Sequence, residues 1–274
     1  MSMIQFLIGA AMAAATPQAA AVTPSPVLPD ARPAMWVVND EDTIIYLFGT
    51  FHALDGRSEW FNDEIETAFT ASQQLVLEAL VPARPGTGAV RGPLTLRGRF
   101  AGPLPSVAGS PSFLSTARQV MAAGRSRGMS SDSGADAVLR RAAEAAGKPV
   151  GALETPEFQI GMMSRMPSAV QPDSPGQAVT AMHQMGAVLA FLQAAWNRGD
   201  ADSFGAMLED MREKSPDSYK VLFRDRNERW AGWIARRLEQ PGIVFVAVGA
   251  GHLSGPDSVQ HKLADRNIRS ARLN

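Results

Sequence analysis

Cysteine is absent from the 274-residue sequence. Its absence excludes a thiolate nucleophile, a cysteine-based zinc site, a disulfide bond and a lipidated cysteine anchor. The formal net charge is only −1 and no basic stripe is visible, so we expect no nucleic-acid partner. A G-x-S-x-G nucleophile elbow is also missing, which leaves no support for a Ser-His-Asp triad of the α/β-hydrolase type.

The N-terminal residues 1–15 are apolar and rich in small side chains, but no Lys or Arg precedes them. An A-x-A-like end and the proline-rich residues 22–33 follow, a pattern typical of a secretory signal peptide. We therefore predict a signal peptide over residues 1–21, a linker over 22–33, and a periplasmic or secreted protein. The apolar run is too short to span a membrane, so we expect no stable membrane insertion. A disordered alanine-rich tail without a targeting role is the alternative.

Two of the four histidines end the same kind of stretch. Residues 44–52 and residues 243–252 each combine an apolar run, a glycine, two further residues and a histidine, namely His52 and His252. Such an apolar run is typical of a strand that is buried on both faces. One histidine after a strand is usually a capping or core residue. Two copies predict a paired site at the strand ends, where open α/β folds bind ligands.

A glycine begins each Gly-x-x-His motif, at Gly49 and Gly249. Glycine lets the backbone turn tightly and lets a ligand approach it closely. We therefore predict that both glycines line the substrate site, on the same edge of the sheet as the two histidines.

Acidic residues end two further strand-like runs. Residues 74–78 end in Glu78, and residues 148–154 end in Glu154. A helix-like segment precedes each run, and this β-α-β order predicts parallel neighbouring strands. A carboxylate at a strand end is often only solvated. Beside strands that end in histidine, it indicates a functional acid.

The order of these segments predicts an α/β fold for residues 34–274, as a single domain with a central, mostly parallel sheet flanked by helices. Residues 34–38 and 43–48 are expected to form a hairpin, and residues 268–273 an edge strand. Residues 81–130 are predicted to be a helical cap or lid. The predicted helices cover residues 58–72, 111–123, 133–146, 178–197, 200–213, 215–240 and 256–265.

Polar side chains on two helices are expected to face the same strand ends, and Gln159 and Asn227 are predicted to bind the substrate there. Gln159 lies on the first turn of the helix that follows the second acidic strand. Arg226 and Asn227 lie in a charge-dense helical stretch, which is usually a solvated face, although one arginine turned toward the carboxylates fits the pattern. His183 and His261 also lie on helices, and we expect neither to be catalytic.

These motifs together resemble the TraB/GumN family, which includes the animal TIKI proteases and bacterial pheromone-shutdown proteins. The resemblance covers the chain from about Trp36 to its C-terminus, and the run from Val248 to Gly255 is its most specific part. It implies an α/β fold related to erythromycin-esterase-like and ChaN-like proteins, and a metal-dependent hydrolase that is proteolytic in the TIKI branch. The residues that match the family's motifs are His52, Glu78, Glu154, Gln159, Arg226, Asn227 and His252.

The chemistry of these residues agrees with the resemblance. Imidazoles and carboxylates at strand ends can hold a divalent ion and leave one position open for water. We predict His52, Glu78 and His252 as ligands of Mn, Co, Zn or Fe, since nitrogen and oxygen donors suit all four. The ion would turn bound water into hydroxide, a remaining carboxylate would shuttle the proton, and Arg226 would steady the oxyanion. The leading prediction is an exported metal-dependent hydrolase that cleaves an amide bond in a peptide or small-molecule substrate.

Two other functions remain open. One is a metal-independent, esterase-like hydrolase in which a histidine acts as the general base on water and acids orient it. The other is a non-catalytic protein that captures a metal or a haem-like ligand in the same crevice. Metal stoichiometry separates the two hydrolases, and ligand retention without turnover would favour the binding protein.

Overall fold

The computed structural model describes residues 30–80, 111–163 and 175–274. The predicted signal peptide lies outside these residues, as do most of the predicted linker and residues 81–110 of the predicted cap. The first described residues pack on the domain, because Ala31 is buried and its N–H donates to the carbonyl oxygen of Glu59. No helix in the described part of the chain is long and apolar enough to cross a membrane.

Six strands form one mixed sheet in the order β4-β3-β5-β2-β1-β6. The strands are β1 (Met35–Asn39), β2 (Thr43–Thr50), β3 (Gln74–Ala79), β4 (Val150–Glu154), β5 (Gly242–Gly249) and β6 (Ser270–Arg272). The four strands β4, β3, β5 and β2 are parallel to one another. β1 pairs antiparallel with β2 and with β6. The predicted α/β fold, its mostly parallel sheet, the hairpin and the edge strand are confirmed.

The C-terminal strand β5 lies in the middle of the sheet. β2 and β3 are parallel, but the prediction that they are neighbours is wrong, because β5 pairs with both of them. Phe245 and Ala247 of β5 face one core, whereas Val244, Val246 and Val248 face the other. A strand without a polar face is stable only where both of its faces are covered, so this strand takes the centre.

Helices cover both faces of the sheet. One face packs against α1 (Asp63–Ala71), α3 (Ala135–Ala145), the end of α5 (Pro175–Asn197) and α6 (Ala201–Lys214). The other face packs against α8 (Asp225–Leu238) and α9 (Val259–Ala264). Outside these layers, α2 (Pro111–Arg125) packs on α5, α4 (Pro156–Met163) follows β4, and α7 (Pro216–Tyr219) precedes α8.

Most helices are observed close to their predicted bounds, and α1 is the exception. It begins at Asp63 rather than Ser58, because the Asn62 side chain accepts a hydrogen bond from the N–H of Ile65 and caps the helix there. Asparagine is among the preferred N-cap residues, since its side chain satisfies an N–H that has no partner inside the helix.

A π-helical segment, Lys220–Arg224, joins α7 to α8 within the single helix that the sequence predicts. π-helical turns are rare and often occur at functional sites. This one ends just before Arg226 and Asn227, and both side chains are buried toward the sheet.

Candidate active site

The sheet order brings four of the predicted side chains to one edge. Because β4, β3, β5 and β2 are parallel, their carboxyl ends meet there and carry Glu154, Glu78, His252 and His52 in that order. The glutamates lie at the ends of their strands. His52 follows the end of β2, and His252 lies in a 3₁₀ turn, Ala250–Leu253, that follows β5.

Arg226, on the first turn of α8, reaches into this edge, and its side chain is only 6% exposed. Its Nε and Nη2 donate to the two carboxylate oxygens of Glu154, both at 2.8 Å. Nη2 also donates to Oε2 of Glu78 at 2.9 Å. Nη1 donates to the carbonyl oxygen of Leu222 at 3.2 Å and to Nε2 of His252 at 3.1 Å. A guanidinium has five N–H donors, and each of them has an acceptor here.

His252 is a neutral imidazole with a defined tautomer. A guanidinium can only donate, so Nε2 of His252 accepts from Arg226 and Nδ1 carries the proton. Nδ1 lies 2.6 Å from Oδ1 of Asn227, and Nδ2 of the same amide donates to the carbonyl oxygen of Asp257. Burial, aided by the charge of Arg226, lowers the pKa of His252 to about 3, which keeps the ring neutral at physiological pH.

Aromatic rings enclose His252. The ring centroids of Phe223 and Trp230 lie 4.9 and 4.4 Å from that of the imidazole. Trp230 also contacts the guanidinium of Arg226, which lies 4.6 Å from the centroid of the indole. These contacts fix the position of the imidazole relative to the guanidinium.

Glu78 is an ionised carboxylate held by two donors. Oε1 accepts from the N–H of Gly249 at 2.6 Å, and Oε2 accepts from Arg226. Burial would raise the pKa of Glu78, but the charges of His52 and Arg226 and the hydrogen bond from the Gly249 N–H outweigh it and hold the pKa below its usual value. A Cβ on Gly249 would lie 3.1 Å from Oε1 of Glu78 and 3.4 Å from Nε2 of His52. The absence of a side chain at Gly249 therefore lets both atoms lie close to the backbone.

His52 has a partner that the sequence patterns did not single out. Its Nδ1 lies 3.0 Å from Oδ1 of Asp136, in the first turn of α3. Gly134 permits this approach, because a Cβ there would lie 2.2 Å from the carbonyl oxygen of His52. The N–H of Ala135 also donates to the carbonyl oxygen of Phe51 at 3.0 Å. A helix that leads into a parallel strand begins at the carboxyl edge of the sheet. The predicted β-α-β order was therefore the signal that could have placed Asp136 near the site.

The environment of His52 favours its protonated form. Burial would lower the pKa of His52, but the hydrogen bond to Asp136 and the charges of Glu78 and Asp136 outweigh it and raise the pKa to about 9. Because the side chain is 63% exposed, solvent screens these charges and reduces the shift. Within the described residues, Nε2 of His52 has no hydrogen-bond partner, so this nitrogen is the one that can meet a substrate or a water molecule.

Gln159 and Gly49 border the same edge. Nε2 of Gln159 donates to Oε2 of Glu154 at 3.3 Å. The carbonyl oxygen of Gly49 accepts from the indole N–H of Trp196 at 2.7 Å. A Cβ on Gly49 would lie 3.2 Å from the Cα of Ala250, so this glycine lets the turn that carries the second motif histidine pack closely on β2.

Two histidines and one cavity lie apart from this cluster. His183 is exposed on α5, and Nδ1 of His261 lies 2.8 Å from the hydroxyl of Ser258, the N-cap of α9. A small pocket lies beside Gly49, with Trp196 on its wall, and none of the charged residues of the cluster lines it. Both histidines therefore lie where the sequence analysis expected them, away from the site.

The predicted ligands His52, Glu78 and His252 do not fit a divalent ion in this arrangement. Nε2 of His52 and Oε1 of Glu78 both lie beside Gly249, but the lone pair of His252 Nε2 is directed at the guanidinium of Arg226. Across residues 30–80, 111–163 and 175–274, no three His, Asp or Glu side chains are arranged to hold a metal ion. Three protein ligands are usual for a catalytic zinc site, and here the third donor is engaged by a cation.

Comparison with known proteins gives one match. The family model described as the TraB/PrgY/gumN family matches residues 34–90 and 100–272, a span that includes every residue of the site. Neither the curated proteins nor the solved structures gave a match to this chain.

Proposed function

The chain belongs to the TraB/PrgY/gumN family, and we propose that it is a hydrolase that activates water on His52 without a metal ion. The bond that it cleaves is an amide or ester bond, in a peptide or a small molecule. The observation that carries the proposal is the pair formed by His52 and Asp136. A carboxylate holds Nδ1 of the imidazole, while Nε2 has no partner within the described residues and the side chain is 63% exposed.

The mechanism follows from this pairing. The base is the neutral imidazole, which predominates above the raised pKa of His52. In that form Asp136 keeps the proton on Nδ1, so the lone pair is on Nε2, as in the orienting role of a triad aspartate. Nε2 of His52 accepts a proton from water while the water oxygen attacks the substrate carbonyl carbon. When the tetrahedral intermediate collapses, the imidazolium returns that proton to the leaving nitrogen or oxygen. The acyl product gains OH and the leaving group gains H.

The buried cluster beside His52 supplies fixed charge. Glu78 remains ionised, and its negative charge stabilises the imidazolium that forms when water loses its proton. Arg226 has no N–H left for an oxyanion in this arrangement. We therefore assign Arg226 the positioning of the two carboxylates rather than the oxyanion role expected from the sequence.

The metal-dependent hydrolase remains a second candidate, because one observation favours it. Two donors, Nε2 of His52 and Oε1 of Glu78, both lie beside Gly249. A divalent ion held there would supply Lewis-acid activation of water. It would need a further ligand, and His252 can serve only if its contact with Arg226 is broken.

We also propose that the enzyme is exported. The support is the apolar N-terminal run with its A-x-A-like end at residues 1–21, which is typical of a cleavable signal peptide. Intact mass analysis of protein recovered from the periplasm or the medium tests this proposal. A mature chain that lacks about 21 residues agrees with it, and a full-length intracellular chain contradicts it.

The test of the hydrolase is turnover of a panel of aryl esters and peptide amides by chelator-treated protein. His52→Gln keeps a polar side chain but removes the base, so we expect kcat to fall by about 10²- to 10⁴-fold. His183→Gln is the matched control, since this histidine is exposed on α5 and its loss should leave turnover unchanged.

Three other outcomes are informative. Full activity in His52→Gln would contradict the proposed base. Activity that chelation abolishes and Mn²⁺, Co²⁺ or Zn²⁺ restores would favour the metal-dependent candidate. Failure to turn over any substrate, together with tight retention of an ion or a tetrapyrrole, would instead indicate the binding protein.

A further inference from the structure

Arg226 occupies the centre of the buried acidic site, between the carboxylates of Glu78 and Glu154 and the imidazole of His252. We propose that its guanidinium is a permanent cation that holds the place of a divalent ion. The wild-type protein would then exclude a metal from these three donors. Removal of Arg226 would convert them into a metal site.

The first support is the match between donors and acceptors. Glu154 receives two parallel hydrogen bonds, and Oε2 of Glu78 receives a third. Bidentate arginine–carboxylate pairs are among the strongest polar contacts in proteins. With Oε1 of Glu78 engaged by the N–H of Gly249, each oxygen of the two carboxylates already has a donor.

The second support is the direction of the His252 lone pair. A metal ion needs the unprotonated nitrogen of an imidazole. Nδ1 of His252 carries a proton that is directed to Asn227, and Nε2 lies 3.1 Å from Nη1 of Arg226. An ion that approached Nε2 would meet a positive charge at that distance, and like charges repel strongly in a buried site.

The third support is that the guanidinium is fixed in place. It donates to the backbone carbonyl oxygen of Leu222, in the middle of the π-helical segment, and it lies against the indole of Trp230. The side chain of Arg226 is 6% exposed. It therefore has neither free donors nor open solvent into which it could turn when an ion arrives.

The test compares ion uptake by wild type, Arg226→Met and the matched control Arg224→Met after chelator treatment. Arg224 is the last residue of the π-helical segment that precedes α8, and it is exposed. Equilibrium dialysis against micromolar Zn²⁺, Mn²⁺ or Co²⁺ should leave wild type and Arg224→Met without a bound ion. Arg226→Met should take up about one ion per chain, held by the freed glutamates and histidine. Its melting temperature should rise as the ion is added, because the ion binds only the folded state.

The double variant Arg226→Met/His252→Ala identifies the freed ligand. It should lose most of the ion affinity that Arg226→Met gains, because the nitrogen donor is missing. Uptake of one ion by the wild type that depends on His252 would overturn the proposal. So would a folded Arg226→Met that binds no ion.

Arg226→Met leaves two buried carboxylates without their partner, which can prevent folding. The variant Glu154→Gln/Arg226→Met removes one of those charges and answers the same question. It should bind an ion more weakly than Arg226→Met but more tightly than wild type, and the absence of any gain would overturn the proposal. Ion uptake is measured without substrate, so a failed hydrolase assay leaves this result unaffected.

Discussion

The two Gly-x-x-His motifs end on adjacent parallel strands, yet their histidines lie in opposite environments. His252 is enclosed, neutral and hydrogen-bonded to Arg226, whereas His52 is exposed and paired with Asp136. The pKa of His252 is lowered and the pKa of His52 is raised. The motif determines where each imidazole lies, and the partner from a neighbouring helix determines what it can do. His52 faces solvent, whereas His252 is fixed within the buried cluster.

The largest expected difference between the two motifs is in stability. His252→Ala leaves Nη1 of Arg226 and Oδ1 of Asn227 without their partner and opens a cavity beside Trp230. We expect the free energy of unfolding to fall by about 3 kcal/mol. His52→Ala removes an exposed side chain and its ion pair with Asp136, and it should lower the free energy of unfolding by at most about 1 kcal/mol. Urea unfolding of both variants measures the contrast, and equal losses would show that the two environments do not differ in solution.

A second variant tests how α3 meets the first motif. In Gly134→Ala the new Cβ would lie 2.2 Å from the carbonyl oxygen of His52, so α3 must shift. We expect a loss of about 2 kcal/mol in the free energy of unfolding, together with lower turnover. Gly124→Ala is the control, because its Cβ would meet Met129 at an ordinary 3.6 Å. Thermal unfolding compares the two, and a stable, fully active Gly134→Ala would argue against this docking contact.

Asp136→Asn tests the partner of His52 directly. We expect kcat to fall on the order of tenfold, since the imidazole loses the carboxylate that orients it and stabilises its charged form. Because Asp136 raises the pKa of His52, the rise of kcat/KM with pH should move to lower pH in the variant.

Asp132→Asn is the control for this effect, since Asp132 is exposed one turn earlier. Asp136→Glu should restore part of the activity, because it retains a carboxylate. An unchanged pH profile in Asp136→Asn would show that the carboxylate does not act on His52.

The smallest expected effect is on stability in mild acid. The pKa of His252 is lower in the folded protein than the ordinary value of 6.5, so the unfolded chain binds a proton that the folded chain does not. Stability from this group is therefore complete above pH 6.5 and lost as pH falls toward 3. Between pH 6 and pH 5 we expect a loss of roughly 1 kcal/mol, measured by urea unfolding.

His252→Ala should lack this acid loss. His52 acts in the opposite direction, because its raised pKa gives stability that is present below pH 6.5 and is lost as pH rises toward 9. Acid sensitivity that persists in His252→Ala would assign the effect to another group.

Much of the site was predictable because each residue ends a recognisable run. Glu78 and Glu154 follow short apolar strands, and the two histidines follow longer ones. Parallel strands align their carboxyl ends, so the local pattern places all four side chains on one edge without knowledge of their contacts. Gly249 was predictable for a similar reason, since a close approach to the backbone requires a missing side chain.

The remaining features depend on distances that local patterns do not contain. Asp136 reaches His52 only because Gly134 lets α3 pack against the β2 edge. The inward turn of Arg226 depends on a π-helical segment, and no propensity in the sequence indicates that segment. The prediction that β2 and β3 are neighbours was wrong for a related reason. β5, which is distant in the sequence, pairs with both of them, and tertiary packing decides such a pairing.

The central place of β5 also sets the moment during synthesis at which the site can form. A ribosome makes β2 and β3 first, but the two strands share no partner until residues 242–249 have emerged. The same late segment is followed by His252, which is the partner of Nη1 of Arg226 and of Oδ1 of Asn227. A nascent chain that stops before β5 therefore contains His52 and Glu78 but lacks the strand that brings them to one edge. The cluster assembles only after β5 and the turn that follows it have been made.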